Sequence, residues 1–349
     1  MKKRALIFGI TGQDGYYLSN FLLKKNYEVH GVKRKASTVY SYRTDKLYEK
    51  FFLTKKPTFF LHYGDVTDSI SILNLVKKIK PDEIYNLAAQ SHVQVSFEIP
   101  DYSSNVDALG TLRILEVIKN LNRSIKFYQA SSSEMYGGSV REALDENSKF
   151  DPKSPYAAAK VFAFEISKIY RESYDMFATN GILFNHESPR RGETFVTRKI
   201  SKAVGRIHVG IQNKLTLGNL NSYRDWGFAG DYVKAMWQIM QYEKPEDWVI
   251  ATGETYSVNE FVKEAFSLIN LDSDSFIETS EKYFRPNEVD YLLGNPTKAS
   301  KKLGWKPETS FKELVKMMVE HDINEAKKEY TLLKENLISP TWESPVSPN

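Results

Sequence analysis

With 349 residues, 41% of them hydrophobic and 26% charged, the chain has the composition of a globular protein long enough for two compact parts. Its 48 basic and 44 acidic side chains leave a net charge of only +4, too balanced to favour nucleic acid, and the absence of Cys excludes disulfides and thiolate chemistry. The apolar run after Met1-Lys2-Lys3-Arg4 is broken by Gly9 and then Gln13, too short for a signal core, and no later stretch approaches a membrane span, so a cytoplasmic chain is expected.

The first strand is predicted at 4–8. It runs into Gly9-Ile10-Thr11-Gly12-Gln13-Asp14-Gly15 and a helix at 15–25. Glycines there allow a tight turn and close approach to a pyrophosphate, while the helix start offers free N–H groups and a positive dipole end. A strand at 27–33 ends in Lys33-Arg34-Lys35. An NAD site would place Asp or Glu there for the ribose 2′-hydroxyl, whereas cations suit the 2′-phosphate of NADP. After the strand at 58–63, Asp65 is placed to meet the adenine. A helix at 69–79 can be capped by Thr67 or Asp68 and is closed by Pro81. The strand at 83–87 ends in Leu87-Ala88-Ala89, small enough for a cofactor to pass over. Further elements are a helix at 105–119, a strand at 125–130, a helix at 155–174 and a strand at 178–183. Strands separated by helix-length segments imply an α/β fold, a Rossmann-like, doubly wound parallel sheet. His30 and His62 fall in strands and read as packing residues. The remaining histidines lack metal-ligand spacing, so no metal is expected.

After about residue 184 the rhythm breaks. Polar loops at 186–193, 219–230 and 285–290 alternate with helices at 197–210, 232–242, 259–268 and 311–326. This divides the chain into a cofactor domain at 1–184, a smaller C-terminal substrate lobe at 185–338 with segments returning to the sheet, and a tail at 339–349.

Tyr156 and Lys160 stand at i, i+4 and share one helix face. A nearby ammonium is expected to lower the phenol's pKa, so that Tyr156 serves as base and acid towards a hydroxyl during hydride transfer. Tyr42 and Lys46 have the same spacing, but only Tyr156 follows the fifth strand, whose end carries Ser131-Ser132-Ser133-Glu134. A hydroxyl there can bond the reacting oxygen. The Glu134 carboxylate lies where ligands bind in such sheets, and it can take a proton α to a newly formed ketone.

Taken together, these residues resemble the GDP-mannose 4,6-dehydratase family of extended short-chain dehydrogenases, over about 4–322. The resemblance rests on the turn at 9–15, Asn86-Leu87-Ala88-Ala89-Gln90-Ser91-His92, the Ser154-Pro155-Tyr156 start of a helix reaching Lys160, the segment from Asn185 to Gly192, Arg224-Asp225-Trp226-Gly227, and Arg285 to Asp290. It implies that Ser132, Glu134, Tyr156 and Lys160 are catalytic. It adds Val66, Ser91, Tyr102, His186 and Arg191 to the NADP contacts, and places Ser91, Asn185, Lys199, Arg224, Arg285 and Glu288 near the GDP-sugar. The family normally has Thr where this chain has Ser132, so a methyl is lost beside the sugar. The implied reaction begins as Tyr156 takes the C4 hydroxyl proton and hydride passes to NADP. Glu134 then removes the C5 proton and, with Ser132, helps the C6 hydroxyl leave as water. Hydride returns to C6 and Tyr156 reprotonates C5, giving a 4-keto-6-deoxy sugar. The sugar is mannose or, in one branch of the family, D-glycero-D-manno-heptose. Several members of the family assemble as tetramers or dimers of dimers, and the resemblance implies that the loop after Arg34 reaches a neighbouring subunit. A nucleotide-sugar 4-epimerase would share the cofactor site, Tyr156 and Lys160, but needs no carboxylate at Glu134. A non-catalytic NADP-binding regulator would need none of the three.

Overall fold

The computed structural model describes residues 2–35, 42–284 and 286–340. Arg285, residues 36–41 (within the loop expected after Arg34) and residues 341–349 of the expected tail lie outside the described residues. The strands, in chain order, are β1 Arg4–Phe8, β2 Glu28–Lys33, β3 Phe59–Tyr63, β4 Glu83–Asn86, β5 Lys126–Ser132, β6 Ala178–Leu183, β7 Asn185–Glu187, β8 Leu215–Leu217, β9 Tyr223–Arg224, β10 Trp226–Phe228, β11 Asp247–Ile250, β12 Tyr256–Ser257 and β13 Ile277–Thr279. The helices are α1 Gln13–Lys24, α2 Tyr42–Phe51, α3 Ser69–Ile79, α4 Val93–Glu98, α5 Pro100–Ser104, α6 Gly110–Leu121, α7 Pro155–Tyr174, α8 Val196–His208, α9 Ala229–Gln241, α10 Val258–Ser267, α11 Thr297–Leu303 and α12 Phe311–Lys334.

Seven strands form one parallel sheet in the order β11-β6-β5-β4-β1-β2-β3. All six strands predicted in the first half are present. The central ones are largely buried along their length because both faces are covered, as a parallel sheet requires. On one face α1, α2 and α9 bury Leu18, Leu22, Leu47, Val233 and Met236, and on the other α3 and α6 bury Ile72, Val76, Ile114 and Ile118. Asp68 rather than Thr67 caps α3, its carboxylate accepting from the N–H groups of Ile70 and Ser71.

One departure from the sequence pattern and one segment that returns to the sheet, as expected of the second half, matter for the site. The helix expected at 105–119 is divided: α5 and α6 are joined by a π-helical turn, Asn105–Leu109. The seventh strand, β11, comes from the second half of the chain and pairs with β6, from Asp247 with Asn180 to Ile250 with Leu183. A separate apolar cluster of Ile200, Val204, Trp226, Phe261, Phe266, Leu314 and Met318 joins α8, α10 and α12 beside the sheet.

Candidate active site

The turn after β1 has the shape its glycines suggest. Gly9 has φ +83°, and a Cβ there would stand 2.7 Å from the backbone of Leu87 and Ala88 at the end of β4. A Cβ on Gly15 would meet the Ile10 carbonyl oxygen at 2.5 Å. Gly12 begins α1 with no side chain capping it, so the first N–H groups of that helix remain open to an anion. Thr11 stands between these glycines, half-buried.

Three polar residues expected at the cofactor are engaged with one another. The Gln13 Nε2 donates to the His186 carbonyl at 2.9 Å and its Oε1 accepts from the Ser188 hydroxyl at 2.7 Å, while Asp14 Oδ2 meets His186 Nε2 at 2.8 Å. The ring of Tyr232 stacks on His186 at 4.7 Å. Burial alone would push the His186 imidazole down, but the Asp14 carboxylate overrides it and raises the pKa; Asp14 is in turn held below its ordinary range against its own burial. These bonds fasten β7 and Ser188 just after it to the first turn of α1. Arg191 pairs with Glu187 at 3.1 Å and lies 3.8 Å over the Phe195 ring.

At the end of β2, Arg34 is exposed and donates to the Tyr102 hydroxyl, bringing two expected cofactor residues together. Lys35 Nζ lies 5.2 Å over the Tyr63 ring. One carboxylate oxygen of Asp65 accepts both the N–H and the hydroxyl of Thr67, each at 2.9 Å. Val66 is buried against Gly110, while Ala89 and Ser91 line the exposed loop after β4.

The four residues expected to carry chemistry converge at the C-terminal end of β5. Ser132 is its last residue, and its hydroxyl accepts the Glu134 N–H at 3.2 Å, closing the short 3-10 turn Ser133–Tyr136. Glu134 is thereby held at 7% exposure, and its charge acts on Tyr156. Helix α7 starts on a Ser154 cap that accepts the Ala157 N–H at 3.1 Å, with Pro155 in its first turn; this presents Tyr156 and Lys160 to the strand end. The Ser132 hydroxyl also acts on the Tyr156 phenol, drawing its pKa down. Lys160 Nζ donates to the Ala130 carbonyl at 3.0 Å and lies 5.7 Å from the Tyr156 ring centroid.

Contrary to the expectation drawn from i, i+4 spacing, the phenol is raised rather than lowered. Burial is the main cause and the charges of Asp107 and Glu134 add to it, while the Ser132 bond and Arg191 oppose them. Asp107, on the π-helical turn, is a residue the sequence reading missed.

Near the second half, Lys199 Nζ donates to the Thr216 carbonyl at 2.8 Å and lies 3.9 Å over Tyr283; burial lowers its pKa. Arg224 is buried on β9, bonded to the Tyr223 carbonyl at 2.8 Å, with Glu288 at 3.7 Å. Asp225 beside it is wholly buried and accepts the N–H groups of Thr252, Gly253 and Gly294, which locks these loops around Arg224. The Asn185 Oδ1 is buried and meets no donor within the described residues.

A family model described as GDP-mannose 4,6 dehydratase matches residues 6–318. GDP-mannose 4,6 dehydratase 1 of Arabidopsis thaliana is 53% identical over 335 residues, 95% of this chain and 92% of the relative. The GDP-mannose 4,6-dehydratase of Yersinia enterocolitica is 50% identical over 363 aligned positions, 96% of this chain and 97% of the relative. Among solved structures, dTDP-glucose 4,6-dehydratase of Bacillus anthracis in complex with NAD superposes with a TM-score of 0.80 at 19% identity, over 94% of this chain and 98% of that one. The Thermus thermophilus UDP-glucose 4-epimerase complex with NAD gives 0.76 at 23% identity, over 91% and 98%. At such identities the shared property is the fold.

Proposed function

The chain belongs to the GDP-mannose 4,6-dehydratase family, and from that premise we propose that it converts a GDP-linked manno-configured sugar to its 4-keto-6-deoxy form with loss of water. It is a hydro-lyase. The observation that carries this reading over a 4-epimerase is Glu134: a carboxylate buried in the same enclosure as Ser132 and Tyr156, with no task in epimerisation.

The glycine cradle, the open start of α1 and the Arg34–Tyr102 pair fit a dinucleotide, and the cations at the end of β2 support NADP over NAD. Bound there, NADP supplies a hydride acceptor that becomes a donor later in the same turnover. Gly9, Thr11, Gly12, Gly15, Asp65, Val66, Leu87, Ala88 and Ala89 would line its path, with Gln13, Asp14, His186 and Arg191 fixing the shape of the pocket. Tyr156 holds the proton of the C4 hydroxyl, aided by the Ser132 hydroxyl, and returns a proton to C5 at the end. Lys160 keeps a positive charge beside the phenol. Glu134 takes the C5 proton once C4 is a ketone and passes a proton to the departing C6 hydroxyl. The half-buried Lys199 and the buried Arg224 suit the GDP diphosphate, with Ser91, Asn185 and Glu288 towards the nucleotide sugar and Arg285 assigned there by family resemblance alone.

Residues 1–184 hold the cofactor and 185–338 hold most of the substrate in this reading. A homo-tetramer is supported by apolar side chains left exposed on α7, Phe162 at 40% and Ile169 at 49%. A cytoplasmic location is supported by the lack of cysteine and by the fact that no helix among the described residues is long and apolar enough to cross a membrane. The test is incubation of the pure protein with GDP-mannose and with GDP-D-glycero-D-manno-heptose. A 4-keto product from at least one supports the proposal, and a faster rate on the heptose would assign that sugar. No 4-keto product from either overturns it.

A further inference from the structure

Asp107 takes no part in the steps above, yet it is 1% exposed and stands on the π-helical turn packed against α7. It lies in phase with Thr111, Ile114, Leu115 and Ile118, all buried, so a carboxylate occupies a position the helix pattern reserves for an uncharged side chain. Its Oδ1 accepts a single bond, from the Gln90 N–H at 2.8 Å, while Oδ2 is buried and meets no donor within the described residues. A carboxylate so poorly satisfied persists where an opposite charge compensates it. The cation acting on it is Lys160, itself enclosed, and the charge of Asp107 acts back on Lys160 and on Tyr156.

The same turn is tied to the Lys160 anchor through buried polar groups. The Thr111 hydroxyl reaches the Asp107 carbonyl at 3.3 Å and Gln129 Oε1 at 3.0 Å. Gln129 Nε2 donates to the Ala130 carbonyl at 3.2 Å, the oxygen that also takes Lys160 Nζ. Other charges near the pair act less directly: Asp14 supports Lys160, Glu134 and Arg191 act on Tyr156 with opposite signs, and Arg113 on α6 is bound to Asn105.

We infer that Asp107 is the counter-ion of Lys160, a positioning residue that keeps the buried ammonium charged beside Tyr156. This rests on the dehydratase reading only in taking Lys160 as part of the active centre. Burial pushes the Asp107 carboxyl up to about 7, against the pull of Lys160 and of the Gln90 N–H. Below that pH the acid is neutral and an amide in its place changes little. Above it, the natural protein carries a charge that Asp107→Asn lacks. The alkaline limb of the pH–rate profile, where Lys160 loses its proton, therefore moves acidward by about one pH unit in Asp107→Asn, with the acid side superimposed. Asp107→Glu, which keeps the charge, restores the limb. A purely structural Asp107 would lower the rate equally at every pH and leave both limbs in place, and that result overturns the inference. A second measurement needs neither turnover nor the Asn variant. In protein carrying 13C at its aspartate carboxyls, the Asp107 resonance, assigned by its loss in Asp107→Glu, titrates at higher pH in Lys160→Met, because coupling between two sites is reciprocal. An unmoved midpoint overturns the pairing, whether or not the chain turns over any GDP-sugar.

Discussion

At the N-terminal end of the parallel sheet, Glu83 is 1% exposed and fully answered: Lys3, Tyr27 and Gln241 donate to one of its oxygens at 3.0–3.2 Å and Tyr85 to the other at 2.8 Å. At the C-terminal end, Asp107 is equally buried but, among the described residues, has one donor and a bare oxygen, and the Asn86 and Asn185 side chains each leave a buried carbonyl oxygen unmatched there. A buried polar atom without a partner costs about 1–3 kcal/mol. At the end that only has to hold, the buried Glu83 carboxylate is matched at both oxygens. The end that has to receive a nucleotide and a sugar has kept some open, at the expense of stability, as functional sites do.

Substitutions at the two ends should therefore fail in different ways. The largest effect is expected for Glu134→Gln, which should lower the rate of water loss by about a hundred- to ten-thousand-fold while leaving the melting temperature close to that of the natural protein. Oxidation at C4 continues in this variant, so reduced cofactor and a 4-keto intermediate that keeps its C6 hydroxyl should accumulate together in a single-turnover trace. Water loss at the normal rate would take Glu134 out of the mechanism. Glu83→Ala should do the reverse. It strands the buried hydroxyls of Tyr27 and Tyr85 and costs about 3 kcal/mol in urea unfolding, with turnover per folded molecule unchanged. A loss of turnover there would erase the contrast between the ends.

Arg34→Ala comes next. Removing its charge-assisted hydrogen bonds should weaken NADP binding by about tenfold or more and barely touch NAD. Equal losses would mean that Arg34 serves its Tyr102 contact or a neighbouring subunit rather than the 2′-phosphate. The smallest effect is expected for Ser132→Thr, where one methyl returns beside the carbon that loses water. A methylene-sized change in a pocket is worth about 1–3 kcal/mol, and turnover of the GDP-heptose should fall more than that of GDP-mannose. Unchanged relative rates would remove Ser132 from the determination of specificity.

The first half of the sheet was legible because its strands are short runs rich in β-branched and aromatic residues, separated by helix-length segments, and α7 because Ser154-Pro155 suits a helix start. The convergence of Ser132, Glu134, Tyr156 and Lys160 followed from their positions after the fifth strand. What escaped depends on distant partners. The strand Asp247–Ile250 is four residues long and acquires its identity from β6, more than sixty positions earlier in the chain. The His186–Asp14 pair joins residues 172 positions apart, and neither sequence neighbourhood signals the other. The raised Tyr156 phenol was missed for a similar reason, since spacing along a helix reports which side chains are neighbours but not how deeply they are buried. Asp107 could have been noticed: a charged residue in register with the buried face of a helix, flanked by Val106 and Ala108, is an anomaly that periodicity alone exposes.

In the proposed reaction one chain oxidises C4, removes water across C5 and C6, and delivers the same hydride to C6. GDP-mannose carrying deuterium at C4, incubated with the pure protein and no external reductant, follows that hydride. The expected result is a 4-keto-6-deoxy product with the deuterium at C6. Deuterium found back at C4 in a sugar that has lost no water would contradict it and assign the chain to epimerisation instead.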